Sequence, residues 1–189
     1  MLTNLYLVRH AHSTYTPEEL KRPLSEKGLK DAYKVKELLR EENIGHVISS
    51  PYLRAIQTVE GIALTLGREI QIVDEFKERK LTKEDVNDFE QAIRKVWDNP
   101  DFSWEGGESN KSAQQRGIKG IEMALDKYEG KNVVVGTHGN IMVLMMNYFD
   151  EQYDFEFWKK LAMPDIYKLS FQKKTLVNCI RIWKDSNLI

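Results

Sequence analysis

The chain has 189 residues, with 28 basic against 29 acidic side chains, so its formal charge is 28 − 29 = −1 at pH 7. A balance so near zero argues against a broad nucleic-acid or anionic-membrane surface, which needs many phosphate contacts, yet it leaves room for a local phosphate pocket. The single cysteine, Cys179, rules out an intrachain disulfide and points to a reducing, cytoplasmic setting. Arg9 and His10 interrupt the apolar opening too early for a signal-peptide core, and the run Ile141 to Met146 is far too short to span a membrane.

Leu5 to Val8 reads as a short buried strand that stops at Arg9-His10-Ala11-His12-Ser13. After a loop over 14–23, Ser25 is placed to cap a helix over 26–42, where Leu29, Ala32, Val35, Leu38 and Leu39 recur at helical spacing. His46 to Ser49 is a second strand. Pro51 fits the first turn of the next helix, which ends at Gly67. Ile70 to Val73 is a third strand candidate. The charge-rich stretch that follows predicts a helix over 83–97, a turn at Asn99-Pro100, a glycine-bearing loop from Trp104 to Ser109 and a helix over 111–127. Val133 to Thr137 is the strongest strand signal, broken by His138-Gly139-Asn140 before a helix over 141–148. Strands over 166–171 and 177–182 close the chain. The alternation predicts one α/β domain over 1–189, a three-layer α/β/α sandwich with a mostly parallel central sheet and a mostly helical insertion at 75–128.

In such sheets ligands bind beyond the carboxyl ends of the strands. Arg9-His10 and His138-Gly139 both follow predicted strand ends, and Arg54 stands in the first turn of the helix after the second strand. That set suits phosphoryl transfer. Arginine offers a charged planar fork, and a neutral imidazole nitrogen can attack phosphorus and carry the phosphoryl group. A second imidazole would hold the equatorial oxygens, with help from backbone N–H groups after His138. An alkyl leaving group also needs a proton, and the stretch from Asp74 to Glu78 supplies several carboxylic acids. Other readings stand beside this one. His10-Ala11-His12 has the spacing of a two-histidine metal site with His46 or His138 as third ligand, although the neighbouring arginine opposes a cation. Arg54 also reads as a surface arginine paired with Glu60, and Trp97, Phe102 and Trp104 read as packing more than as a substrate entrance.

Six stretches follow one another along the chain: Leu5-Tyr6-Leu7-Val8-Arg9-His10-Ala11, Leu24-Ser25-Glu26-Lys27-Gly28, the block from Ser49 to Thr58, Phe76-Lys77-Glu78-Arg79, Gly107-Glu108-Ser109 and Val135-Gly136-Thr137-His138-Gly139-Asn140. In this order they resemble the histidine phosphatase superfamily, the phosphoglycerate mutase-like proteins. The resemblance implies a phosphoglycerate mutase-like fold and phosphomonoester hydrolysis through a phosphohistidine on His10. Arg9, Arg54, His138 and Gly139 would bind the phosphoryl group. Glu78 would protonate the leaving group and then activate water. His12, Ser13, Thr14, Glu108, Ser109 and Asn140 are implied pocket contacts, with no metal or organic cofactor. The implied partner is a phosphorylated small molecule, phosphorylated protein side chains being within the class, and neither nucleic acid nor membrane. An exposed edge strand would support a homodimer. Mutase-type transfer and a catalytically weak phospho-ligand binding module are the alternatives. The chain departs from the pattern at Ala11, which replaces a usual glycine, at Thr14-Tyr15-Thr16, where an asparagine is frequent, and at Lys80-Leu81-Thr82, where Gly-x-Trp-Glu-Gly is common.

Overall fold

A computed structural model describes residues 1–83 and 88–184. Its elements are strand β1 (Thr3–Arg9), helix α1 (Glu26–Leu38), strand β2 (His46–Ser49), helix α2 (Leu53–Leu66), strand β3 (Gln71–Ile72), helices α3 (Phe89–Asp98) and α4 (Asn110–Lys127), strand β4 (Asn132–Thr137), helices α5 (Gly139–Phe149) and α6 (Phe155–Lys160), and strands β5 (Asp165–Gln172) and β6 (Thr175–Arg181). Single 3-10 turns lie at Glu19–Lys21 and Asp74–Phe76.

The six strands form one sheet in the order β3-β2-β4-β1-β5-β6. The four strands from β3 to β1 run parallel, and β5 and β6 continue the sheet antiparallel. Period-2 alternation divides the strand residues between two apolar layers. Leu5, Leu7, Val133 and Val135 face α4 and α5, where Ile121, Ile141 and Met142 pack on them. Tyr6, Val8 and Val134 face the other way, onto Val35, Val59 and Ile62 of α1 and α2. Both faces are therefore buried, as a parallel sheet requires, and this is the expected α/β/α sandwich. Met142, Met145 and Met146 are fully buried core residues.

Several boundaries differ from the sequence reading. The first helix stops at Leu38 instead of 42: past the C-cap Leu39 the chain tightens into three-residue turns, with Arg40 N on Glu37 O and Glu42 N on Leu39 O, before Asn43 takes a φ of 48°. Only Gln71 and Ile72 pair in β3; Val73 already turns toward Phe76, which anchors the 3-10 turn in the core. The helix expected over 83–97 begins at Phe89 with Asp88 as its cap, and its start at 84–87 lies outside the described residues. Helix α6 was not foreseen, although Asp154 caps it through Phe157 N at 2.9 Å. The excursion between β3 and β4 is thus two helices separated by irregular chain, with Trp97, Phe102 and Trp104 packed against Ile93, Val96 and Phe155. Among the described residues no helix is long and apolar enough to cross a membrane.

Candidate active site

Three parallel strands end together. Arg9 of β1 stands opposite Thr137 of β4, and Gly136 stands opposite Ser49 of β2. The next residue of each strand leaves along the same edge: His10 N donates to Thr137 O at 2.9 Å and Ser50 N to Gly136 O at 2.8 Å. The register that buries the valines therefore also delivers His10, His138 and Ser50 to one place. The two imidazole centroids are 5.2 Å apart.

His10 is 8% exposed. Its Nδ1 donates to Ala11 O at 2.8 Å, which leaves Nε2 with the lone pair, and Arg54 Nε donates to that nitrogen at 3.3 Å. Burial, with Arg54 and Arg9 close by, lowers the imidazole pKa to about 3. His138 is fully buried; burial, then His10 and the neighbouring arginines, press it well below the ordinary histidine range. Its Nε2 lies 2.7 Å from Ser50 Oγ, which also accepts from Tyr52 N at 3.3 Å. Both histidines are uncharged near neutral pH.

The arginines frame the pair. Arg9 Nη1 donates to the carbonyls of Leu161 and Ala162 at 2.7 and 3.1 Å. That turn is held in its own right by Asp165, which accepts from Ala162 N and pairs with Arg181. Gly139 lies against the Arg9 guanidinium; a Cβ there would stand 2.9 Å from Nε, so a side chain at this position would push the guanidinium aside. Arg54 is 5% exposed and not the surface arginine that a Glu60 pairing implied. Its Nη1 donates to Glu19 O at 2.9 Å and pairs with Glu19 Oε2 at 3.0 Å, and its Cζ sits 4.8 Å from the Tyr52 ring centroid.

Glu78 reaches the same strand end from the irregular chain after the Asp74–Phe76 turn. Its carboxylate accepts from Asn140 N at 3.0 Å, Ile141 N at 2.9 Å and Arg79 N at 2.8 Å, which satisfies the first turn of α5. Arg116 straps this segment down: Nη1 donates to Glu75 O and Lys77 O at 2.7 and 3.0 Å, while Nε and Nη2 grip Glu108 at 2.9 and 2.7 Å.

The structure gathers Arg9, His10, Arg54, Glu78, His138, Gly139 and Asn140 at one sheet edge. It puts others elsewhere. His12 is exposed and bonded through Nδ1 to Ser25 Oγ at 2.8 Å, at the cap of α1. Ser13 and Thr14 pair with Leu24 and Pro23, so this stretch closes its own loop. Glu108 is an ion-pair partner of Arg116, and Ser109 caps α4 through Ser112 N at 3.1 Å. His46 stacks on Tyr128 at the start of β2, the far end of the sheet from His10, so it cannot join His10 and His12 on a metal. Sequence reasoning missed Glu19, Ser50, Tyr52, Arg79 and Arg116. Ser50, Tyr52 and Arg79 lie inside stretches already singled out; Glu19 and Arg116 carry no local signal, because their partners are between 8 and 41 residues away in the chain.

Comparison with known proteins agrees with this geometry. Phosphoglycerate mutase-like protein 4 of Arabidopsis thaliana is 27% identical over 154 residues, covering 73% of this chain and 67% of its own length. The metal-independent phosphoserine phosphatase of the same plant is 30% identical over 157 residues, covering 75% and 66%. The matched part thus spans about two thirds of these relatives. Among solved structures, a mycobacterial glucosyl-3-phosphoglycerate phosphatase shares the fold with a TM-score of 0.76 at 17% identity, over 96% of this chain and 97% of that one. The family model of the histidine phosphatase superfamily (branch 1) matches residues 5–177, from within β1 to within β6. With the match covering most of the chain, from within β1 to within β6, and every strand end just described, the chain belongs to that superfamily.

Proposed function

We propose that this protein hydrolyses phosphomonoesters through a phosphohistidine on His10. One observation carries the reading: a buried, uncharged imidazole whose Nδ1 proton is engaged by Ala11 O, so that Nε2 carries the lone pair and turns it to Arg54 Nε, with His138 beside it at the sheet edge. Nε2 attacks phosphorus and the P–O bond to the alcohol breaks. Glu78 serves as the acid that gives a proton to the departing oxygen. Arg9, Arg54 and His138 hold the three remaining phosphoryl oxygens, and the arriving dianion supplies the charge that favours protonation of His138. Glu78 then takes a proton from water, the water oxygen attacks phosphorus, and the P–N bond breaks to release orthophosphate. The chain's own side chains perform each step, so the reaction proceeds without metal and in a reducing cytoplasm.

In metal-free buffer with EDTA, the protein is expected to turn over p-nitrophenyl phosphate. Alkaline-quenched protein should then carry phosphate on His10, and His10→Ala should lose activity by on the order of 10⁵-fold or more. Turnover that needs added metal, or label on any residue but His10, would sink this mechanism. Release of orthophosphate, as against an isomerised phosphoester from 3-phosphoglycerate, separates hydrolysis from mutase-type transfer.

A further inference from the structure

The helix that carries Arg54 begins on a residue that does not suit a helix start. Tyr52 is the N-cap of α2, a position where Ser, Thr, Asp or Asn normally lends an oxygen to the first N–H groups, and its side chain makes no such bond. The backbone is fixed all the same: Tyr52 O accepts from Ala55 N and Ile56 N at 2.9 and 3.1 Å, and Tyr52 N donates to Ser50 Oγ at 3.3 Å. A local rule broken without harm to the helix points to another use of the side chain.

The Tyr52 ring is held by two groups of the site. Its centroid lies 4.9 Å from that of His138, with the planes crossing at 72°, and Arg54 Cζ stands 4.8 Å from it, within cation–π range. Tyr52 is half-buried; its hydroxyl has no hydrogen-bond partner among the described residues and is not among the atoms sealed from solvent. The charges that act on this hydroxyl come from both halves of the pocket, Arg54 and Glu19 from one, Glu78 and Arg116 from the other. Burial outweighs them and holds the phenol above its ordinary pKa, so it is a neutral O–H donor at neutral pH. An ester whose phosphoryl oxygens rest on Arg54 and His138 must turn its bridging oxygen toward Glu78 to be protonated there. The Tyr52 hydroxyl, anchored on the first two groups and in the field of the third, is an open donor on that path.

We propose that Tyr52 is a further catalytic residue of this site, its hydroxyl donating a hydrogen bond to the bridging ester oxygen as that oxygen gains negative charge and departs. This rests on the phosphomonoesterase reading. The bond from His10 Nε2 to phosphorus forms, the P–O bond to the alcohol breaks, and the proton that leaves with the alcohol comes from Glu78; Tyr52 keeps its own. A fixed neutral donor aimed at developing charge binds the transition state better than the ground state. The substrates that gain most are those with a basic leaving oxygen, the phosphate esters of alkyl alcohols.

Tyr52→Phe tests this, because Phe keeps the ring and its contacts with Arg54 and His138. The probes are p-nitrophenyl phosphate, phenyl phosphate and glycerol 3-phosphate, in order of increasingly basic leaving oxygen. The readout is kcat/KM, which reports transfer to His10; the two aryl esters suffice where the alkyl ester is too slow. The loss should grow along the series, from about twofold on the first to about tenfold or more on the last. A packing role would instead lower all three alike, so equal losses, or none, overturn the proposal and leave the phosphatase reading standing. Tyr52→Phe combined with Glu78→Gln decides whether the contact is direct. A further loss of about fivefold on phenyl phosphate supports it, and no further loss means that Tyr52 acts through Glu78 and overturns it. If the folded wild-type protein turns over none of the three esters, the phosphatase reading falls and this role falls with it.

Discussion

The two halves of the pocket are built by different means. The phosphoryl half grows from the ends of β1, β2 and β4, whose register is fixed by two buried faces, and its histidines sit one residue past a strand. The acid half stands on irregular chain between β3 and α3, held by the first N–H groups of α5 and by the Arg116 strap. A strand end in a packed sheet cannot shift without moving the core. A strapped loop can change residue by residue while its anchors stay. Under the proposed mechanism the reacting atom is thus placed by the rigid half, and the half that would meet the leaving group is free to specialise.

Breaking the acid half alone should show this division. Glu78→Gln should lower kcat on alkyl phosphates by about 10²- to 10⁴-fold. It should affect p-nitrophenyl phosphate far less, because that phenolate departs without a proton. Equal losses on both would mean that Glu78 serves the phosphoryl half. Arg116→Ala leaves two buried carbonyls and Glu108 without their donor. It should destabilise by about 2–4 kcal/mol, seen as a Tm lower by about 5–10 °C, and slow alkyl esters about tenfold with less change on the phenolate ester. An unchanged melting curve would show that the strap bears no strain.

Within the rigid half, Arg54 holds the Glu19 carboxylate on the guanidinium that the proposed mechanism assigns to a phosphoryl oxygen. Glu19→Gln should lower both KM and the inhibition constant of inorganic phosphate about fivefold, with kcat little altered; a rise in either constant would instead make Glu19 a support of the site. The gentlest probe is pH. His10 titrates in the folded state at about 3 against an unfolded value of about 6.5, so between these values the unfolded chain binds more protons. Stability contributed by neutral His10 is complete above pH 6.5 and falls as pH drops toward 3, by about 1.4 kcal/mol per pH unit. Replacing His10 with Ala should flatten the fall of Tm between pH 6.5 and 4 relative to the wild type. Identical slopes would show that His10 is not held neutral by the fold.

The sheet and the phosphoryl half were legible from local pattern. Short apolar runs that end in Arg9-His10 and in His138-Gly139 announce both the strands and the polar groups that follow them, and Ser25 and Gly67 mark helix ends by their own chemistry. His12 misled because a histidine two residues from His10 reads like a neighbour in the pocket, whereas the chain turns between them and sends His12 to the cap of α1. Arg79 and Glu108 sat inside quoted stretches, but nothing in those stretches says which charge is buried or with whom it pairs.

By itself the sequence determined the alternation of strands and helices, the residues that end the strands, and the choice of imidazole and guanidinium as the chemistry on offer. Those are local properties, set by side-chain periodicity and by how each residue type treats its own backbone. Only the tertiary structure decided that Nε2 of His10 carries the lone pair and faces Arg54, that Glu19 occupies Arg54, that Glu78 is seated on α5, and that Nε and Nη1 of Arg79 are buried without a partner. Each of these depends on contacts between groups whose separation in space is fixed by packing and cannot be read from their separation along the chain.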